Sequence, residues 1–179
     1  MTNKTILLIV LVPFLLDFST VFSDENQVGT YNIGLGAGFV TGYGLSYRQW
    51  FGKNGAQITL TPYYSSDTSE TNFTMSFGVV GLRMLKEARF VNLFAYYGAH
   101  FWYSYDKRTD LIISYPQTTE VSQVTYTRNK KIFVGGGPGL DIHFWKLSFN
   151  VMFGLDFTSD MANSTGINFT GETGLYYSF

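Results

Sequence analysis

Residues 167–179 read Ile-Asn-Phe-Thr-Gly-Glu-Thr-Gly-Leu-Tyr-Tyr-Ser-Phe, and this stretch alternates between apolar and polar side chains up to its last residue. The odd-numbered positions include Ile167, Phe169, Leu175, Tyr177 and Phe179, whereas Asn, Thr, Glu and Ser occupy even-numbered ones. Side chains of a β-strand point alternately to its two faces, so a period of two indicates one apolar and one polar face. The stretch therefore predicts a β-strand.

Seven earlier segments show the same period, which gives eight predicted strands and an all-β fold. In the fourth segment the apolar positions change from odd to even numbers, and a β-bulge near Val79 and Val80 would explain that change. The predicted strands are residues 30–39, 43–51, 56–64, 72–85, 90–106, 131–144, 147–157 and 167–179.

The connections between these strands alternate in length. They are short after the second, fourth and sixth strands (52–55, 86–89 and 145–146), and longer and more polar after the third, fifth and seventh. Such alternation predicts an antiparallel up-and-down barrel with both chain ends on the side of the short turns. The connection after the first strand, residues 40–42, is the exception, because it is short although it belongs with the long group.

The two faces of the strands differ in size as well as polarity. One face carries bulky apolar and aromatic side chains, whereas the other carries Gly, Ser, Thr, Asn and a few charges. The second face is too small and polar for the core of a soluble protein, but it suits the interior of an eight-stranded barrel, which side chains just fill. The apolar face would then contact lipid, with girdles of outward tyrosines: Tyr43, Tyr47, Tyr97, Tyr103, Tyr105 and Tyr177.

The C-terminal residues Leu175, Tyr177 and Phe179 resemble the last strand of bacterial outer-membrane β-barrels, a family in which this ending is recognised by the barrel-assembly machinery. Residues 24–179 resemble, in architecture, the small eight-stranded barrels of the OmpA transmembrane domain and OmpX type. The resemblance implies a monomer in the bacterial outer membrane with both termini in the periplasm. It also implies that outer-membrane lipid, lipopolysaccharide and the assembly machinery are its partners.

The N-terminus predicts a secretory signal peptide. Lys4 precedes an apolar run, residues 6–16, which Asp17 interrupts, and this run is shorter than the ~20 residues that a membrane-spanning helix needs. Val21 and Ser23 occupy the positions expected before a cleavage site. We therefore expect a signal peptide at residues 1–23 and a mature barrel at residues 24–179.

The composition excludes several other classes. The chain has no cysteine, so disulfides and cysteine-based metal sites are impossible. With a formal net charge of −1, the chain lacks the strongly positive electrostatic field that a nucleic-acid-binding protein needs. The spacing of His, Asp and Glu predicts no metal site, and we expect no cofactor.

The inward faces of the predicted strands carry Arg48, Arg83, His100, Asp106, Asp141, His143, Asp156 and Glu172, and five of these charged residues are expected to interact with one another. An isolated charge is costly to bury, so we expect these residues to form a structural network of ion pairs and hydrogen bonds that fills the interior. A narrow proton or ion path is the alternative. The five residues are Arg48, Arg83, Asp141, Asp156 and Glu172.

An enzyme that acts on lipopolysaccharide acyl chains is the main rival hypothesis. Such chemistry needs a serine or histidine side chain that a nearby carboxylate activates. His100 shares a face with Ser104 and Asp106, but alternate residues of a strand lie ~7 Å apart, too far for a direct triad. The His-x-Ser motif of lipid A deacylases is also absent. We therefore predict no enzymatic activity.

The longest connection, residues 106–130, predicts a projecting hairpin, because two β-prone runs flank a polar turn. An exposed hairpin edge can pair with another chain by strand addition. In the OmpX type such a projection is thought to serve adhesion, so the resemblance implies a surface-binding role with an extracellular protein partner; the alternative is a solvated loop. The surface residues would be Ile112, Tyr115, Val121, Val124 and Tyr126.

Overall fold

A computed structural model describes residues 30–67, 69–114, 119–160 and 164–179, except for the side chains of residues 110–114 and 119–122. The expected signal peptide lies outside the described residues, as does Tyr115. In this part of the chain, no helix is long and apolar enough to cross a membrane.

Eight antiparallel strands form a closed barrel in which each strand pairs with the next and the last pairs with the first. The predicted all-β up-and-down barrel is therefore confirmed. The strands are β1 (Thr30–Gly38), β2 (Gly42–Phe51), β3 (Asn54–Ser66), β4 (Glu70–Lys86), β5 (Val91–Ser114), β6 (Thr119–Phe144), β7 (Leu147–Asp160) and β8 (Thr165–Ser178).

The hairpin of β5 and β6 extends beyond its neighbours on both sides. The pairing of β5 with β6 continues to Ser114 opposite Thr119. In contrast, β4 begins at Glu70 opposite Arg108, and β7 ends at Asp160 opposite Lys131. The backbone of the predicted projecting hairpin is therefore present.

The turn between β1 and β2 shows the opposite behaviour, because it folds into the barrel. β8 pairs with β1 only as far as Thr173, and β3 pairs with β2 only as far as Leu60. Both flanking strands, β8 and β3, therefore extend beyond this turn at the end opposite the short turns. Val40 and Thr41, at the tip of the turn, are completely buried. Residues 40–42, the short exception among the long connections, therefore fold into the barrel and do not project from it.

The expected bulge near Val79 and Val80 is also wrong, because both residues continue regular pairing with β3 and β5. The irregularity lies further along, between Met84 and Lys86. Without the bulge, Val80 and Leu82 point inward, and both are buried.

Large apolar side chains cover the exterior, and a smaller apolar cluster occupies the interior. The interior cluster packs in the middle of the barrel, so the interior is not uniformly polar as predicted. Exposed side chains include Ile33, Leu35, Leu45, Tyr47, Ile58, Leu60, Phe77, Leu140, Phe149, Phe153, Leu155, Phe169 and Leu175. The interior cluster consists of Val40, Val80, Leu82, Phe94, Tyr96 and Met152.

Candidate functional site

Arg48 is the centre of the lower polar cluster, near the end of the barrel that carries the short turns. Its guanidinium donates to a carboxylate oxygen of Asp141 at 3.3 Å, and both side chains are almost fully buried. It also donates from two nitrogens to Oε1 of Gln57, at 3.1 and 2.9 Å. The ring of Tyr176 lies 4.0 Å from the guanidinium carbon. An ion pair, an amide and a cation–π contact thus compensate the buried charge.

Strand alternation explains how this cluster forms. Arg48 on β2 lies directly opposite Gln57 on β3, so both side chains enter the interior at the same height. The hydroxyl of Tyr176 lies 3.1 Å from that of Ser46, which in turn lies 3.0 Å from that of Thr59. Sequence reasoning did not single out Gln57 or Tyr176 for the network, because it considered only charged residues.

Glu172 forms a second, separate cluster and has no cation beside it among the described residues. Its carboxylate accepts hydrogen bonds from the backbone N–H groups of Val40 and Thr41, at 3.2 and 2.9 Å. The hydroxyls of Tyr96 and Thr170 donate to it at 3.2 and 3.3 Å. Glu172 therefore fixes the turn between β1 and β2 inside the barrel, because a carboxylate is a strong acceptor for backbone N–H groups.

Asp156 belongs to a third group, in which it accepts hydrogen bonds from Thr158 at 2.8 Å and Asn168 at 3.2 Å. The single network expected from the sequence is thus divided into three clusters. Arg83 belongs to none of them, because the regular register of β4 places it on the outer face, where it is exposed. The assignment of Arg83 to the interior is therefore wrong.

His100 lies in the upper half of the interior, against Ser76 on the neighbouring strand. The Ser76 hydroxyl lies 2.9 Å from Nε2 of His100, and Nδ1 of His100 lies 2.8 Å from the carbonyl oxygen of Phe39. A carbonyl oxygen only accepts, so Nδ1 carries the hydrogen and Nε2 accepts from Ser76. The structure does not bring Ser104 or Asp106 into this arrangement; Ser104 instead contacts Asn129 at 3.5 Å.

Aromatic rings surround His100. Phe133 stacks on it at 5.2 Å between ring centres, and Tyr43 and Trp102 meet it edge-on at 5.8 and 6.2 Å. The position of Tyr43 corrects its assignment to the outer girdle. The adjacent Gly44 has a φ of 115°, which only glycine adopts readily, and the Tyr43 ring packs against His100 and Trp102.

This arrangement packs the interior and is poorly suited to catalysis. Ser76 is 2% exposed and His100 is 1% exposed, so a substrate carbonyl cannot approach the hydroxyl. A backbone carbonyl, not a carboxylate, orients the imidazole. In the described ranges, no group of three or more His, Asp or Glu side chains is arranged to hold a metal ion.

The residues of the predicted C-terminal assembly signal lie on the outer face, where β8 closes the barrel against β1. Leu175, Tyr177 and Phe179 are exposed. The backbone N–H of Phe179 donates to the carbonyl of Tyr31 at 3.1 Å, and the two rings stack 6.1 Å apart. This end of the chain therefore takes part in closing the ring.

The rim of the barrel at the end opposite the short turns is polar on the inside. A cavity of about 470 Å³ is lined there by residues that include Glu70, Asp106, Arg108 and Thr127. Arg108 pairs with Glu70 at 3.0 Å. Of the predicted hairpin residues, Val124 and Tyr126 are exposed, and Ile112 pairs with Val121 through the backbone.

Comparisons with known proteins found similarity among solved structures. A major outer-membrane protein of Thermus thermophilus superposes with a TM-score of 0.49 at 13% identity, covering 86% of this chain and 100% of its own. The N-terminal β-barrel domain of Pseudomonas aeruginosa OprF gives 0.43 at 12%, covering 84% and 96%. Ail of Yersinia pestis, in complex with the heparin analogue sucrose octasulfate, gives 0.44 at 14%, covering 84% and 97%.

No family model matches the sequence, and no curated protein matches it significantly. At these identities and TM-scores, the similar structures carry no argument about activity or ligands. The resemblance to small eight-stranded barrels therefore rests, at the level of fold, on the closed ring of eight strands described above.

Proposed function

We propose that this protein is a monomeric integral barrel of a bacterial outer membrane, with both termini in the periplasm and with the hairpin of β5 and β6 projecting as a surface-binding element. The main observation in support of this proposal is that the strands form a closed ring whose exterior is apolar. Phe169, for example, is 90% exposed, and Leu35 and Phe153 are largely exposed on other strands. In lipid every backbone polar group must be paired within the protein, and a closed barrel meets this requirement.

The interior supports a structural role over transport. Val40, Val80, Leu82, Phe94 and Met152 fill the middle of the barrel, and each is at most 2% exposed. The interior of an eight-stranded barrel is just wide enough for side chains to fill it. Together with the buried Ser76 and His100, this packing supports neither a pore nor an enzyme.

The free edges of the hairpin support the binding role. Above Lys131, β6 has no described partner on its β7 side, so residues 119–130 present an unpaired edge. Residues 110–114 of β5 likewise extend beyond the pairing with β4. Unpaired strand edges are templates for strand addition by another chain.

The proposed orientation can be tested with single cysteines, because the chain has none of its own. Gln123→Cys places a thiol on the hairpin, and Lys53→Cys places one in the exposed turn between β2 and β3. A membrane-impermeant maleimide should label Gln123→Cys in intact cells, whereas Lys53→Cys should react only after the outer membrane is permeabilised. The reverse pattern would contradict the orientation, and equal labelling of both would contradict a membrane-spanning barrel.

The binding role can be tested by shortening the hairpin. Residues 109–124 would be replaced by Asn-Gly between Arg108 and Thr125, which lie opposite each other, so that a tight turn closes the ladder. The barrel should assemble normally, and displaying cells should lose binding of labelled serum and matrix proteins. A matched control keeps the hairpin length but shuffles residues 109–124 within their alternation, which retains the main-chain edge. Equal binding by the shortened variant would contradict the role, and failed assembly would make the hairpin part of the scaffold.

A further inference from the structure

Three basic residues share the outer face of β5 and β6 just above the apolar belt. Lys107 lies opposite Tyr126, Arg128 opposite Tyr105, and Lys130 opposite Tyr103, so each cation faces a tyrosine on the other strand. The Arg128 guanidinium lies 5.6 Å from the centre of the Tyr105 ring, and the rings of Tyr105 and Tyr126 lie 6.4 Å apart. We call Lys107, Arg128 and Lys130 the rim triad.

The rim triad lies at the height of a lipid headgroup layer. A strand rises about 3.4 Å per residue, or about 2.6 Å along the membrane normal at a tilt of about 40°. The twelve steps from Val91, at the base of β5, to Tyr103 therefore climb about 31 Å, somewhat more than the apolar band of about 25 Å. Below Lys130, the next outward pair is Phe101 and Ile132, which are both apolar. The triad therefore begins where the lipid belt ends and points sideways into the headgroups.

Within the described residues, no acidic side chain compensates the charges of the rim triad. In the part of the chain that the structure describes, no carboxylate forms an ion pair with Lys107, Arg128 or Lys130; Arg108, which pairs with Glu70, belongs to the inward face. Diagonal neighbours across strands lie about 7–8 Å apart, and alternate residues of one strand lie about 7 Å apart. Like charges this close repel each other, so an anion between them would stabilise the patch.

We propose that the rim triad binds the phosphate groups of a phosphorylated glycolipid in the outer leaflet, with Tyr103, Tyr105 and Tyr126 against the sugar and the upper acyl chains. Arginine and lysine are the side chains that bind phosphate, and tyrosine suits a site that is apolar at one end and wet at the other. The inference rests on the proposed membrane location. A lipid is favoured over a soluble polyanion because the side chains point sideways from the barrel wall and not upward from its mouth.

The test uses the full mature chain folded into lipid nanodiscs. The wild type and the variant Lys107→Gln/Arg128→Gln/Lys130→Gln are compared in phosphatidylcholine alone, with added bisphosphorylated lipid A, and with dephosphorylated lipid A. A matched control, Lys53→Gln/Arg89→Gln/Lys146→Gln, removes three charges at the opposite end of the barrel. Each sample is heated stepwise, and the fraction folded is read from gel mobility. Further arms add inorganic phosphate or a soluble sulfated polysaccharide to the phosphatidylcholine discs.

Bisphosphorylated lipid A should raise the unfolding midpoint of the wild type and the control equally, and high salt should reduce this shift. The rim-triad variant should lose at least half of it, and dephosphorylated lipid should give little shift. An equal shift in all three proteins would overturn the site. A triad-dependent shift from inorganic phosphate or from the polysaccharide, without one from lipid A, would overturn the lipid assignment. A chain that is soluble without detergent and shows no heat-dependent mobility would instead overturn the membrane barrel itself.

Discussion

At the scale of single residues, the arrangement of the polar interior depends on how each buried charge is compensated. Arg48 has a carboxylate, an amide oxygen and an aromatic ring, whereas Glu172 has four hydrogen-bond donors and no cation among the described residues. These are two different solutions to the same cost of removing an ion from water. The first holds two sides of the barrel together, since Arg48 and Asp141 come from β2 and β6.

Replacing Arg48 tests this compensation. Arg48→Met should lower the free energy of unfolding by about 3–5 kcal/mol, because it leaves the Asp141 carboxylate buried without its partner. The matched control is Arg83→Met, which removes an exposed outward arginine and should change stability by no more than about 0.5 kcal/mol. The change in the free energy of unfolding of each variant would be measured by urea unfolding of the folded barrel in detergent micelles. Similar losses for both variants would contradict the placement of Arg48 and Arg83 on opposite faces.

The alternation of apolar and polar residues predicts which side chains point inward only where the apolar positions are the outward ones. Arg48 and Asp141 lie on strands with an unbroken pattern, and the structure buries both. The pattern of β4 misleads because Val80 and Leu82 are apolar yet fill the interior, which makes a regular strand look phase-shifted. Tyr43 fails for a different reason, since the positive φ of Gly44 ends the alternation at the turn. Neither effect can be seen without knowing what the middle of the barrel contains.

At the scale of elements, the turn between β1 and β2 is the part that departs from the expected barrel. It lies close against β4, where a side-chain carbon placed on Gly78 would lie 2.1 Å from the carbonyl oxygen of Thr41. Only glycine at this position allows the approach. The short connection and the apolar Val40 were the only local signs of a special turn. Its acceptor, Glu172, is more than 130 residues away in sequence, and nothing local indicates that pairing.

Removing the carboxylate of Glu172 should loosen this turn. A hydrogen bond to a charged group contributes about 1.5–3 kcal/mol, so Glu172→Ala should speed hydrogen exchange of the Val40 and Thr41 amides at least about tenfold. Asp156→Ala is the matched control, because Asp156 is also buried but accepts its hydrogen bonds from the side chains of Thr158 and Asn168. NMR of the protein in micelles resolves both amides. Unchanged exchange in Glu172→Ala would show that packing alone holds the turn.

At the scale of the whole molecule, closure is the property on which the rest depends. Every strand is hydrogen-bonded on both sides in the lower half of the barrel, and the pairing of β1 with β8 completes the ring from Asn32 opposite Ser178 to Ala37 opposite Thr173. Strand number and closure were predictable because the period of two repeats along the chain. The three separate interior clusters were not, because register errors of a single residue exchange the two faces.

A closed ring predicts heat-dependent mobility on a denaturing gel. The mature chain refolded in detergent should migrate as a compact form without boiling and as an extended form after it, because opening the ring requires breaking a whole ladder of hydrogen bonds at once. Far-ultraviolet circular dichroism of the unboiled sample should be rich in β-structure. A variant that ends at residue 164 provides the control, since it lacks β8 and leaves β1 and β7 with unpaired edges. It should show no compact band, and a wild type that also shows none would contradict a closed barrel in detergent.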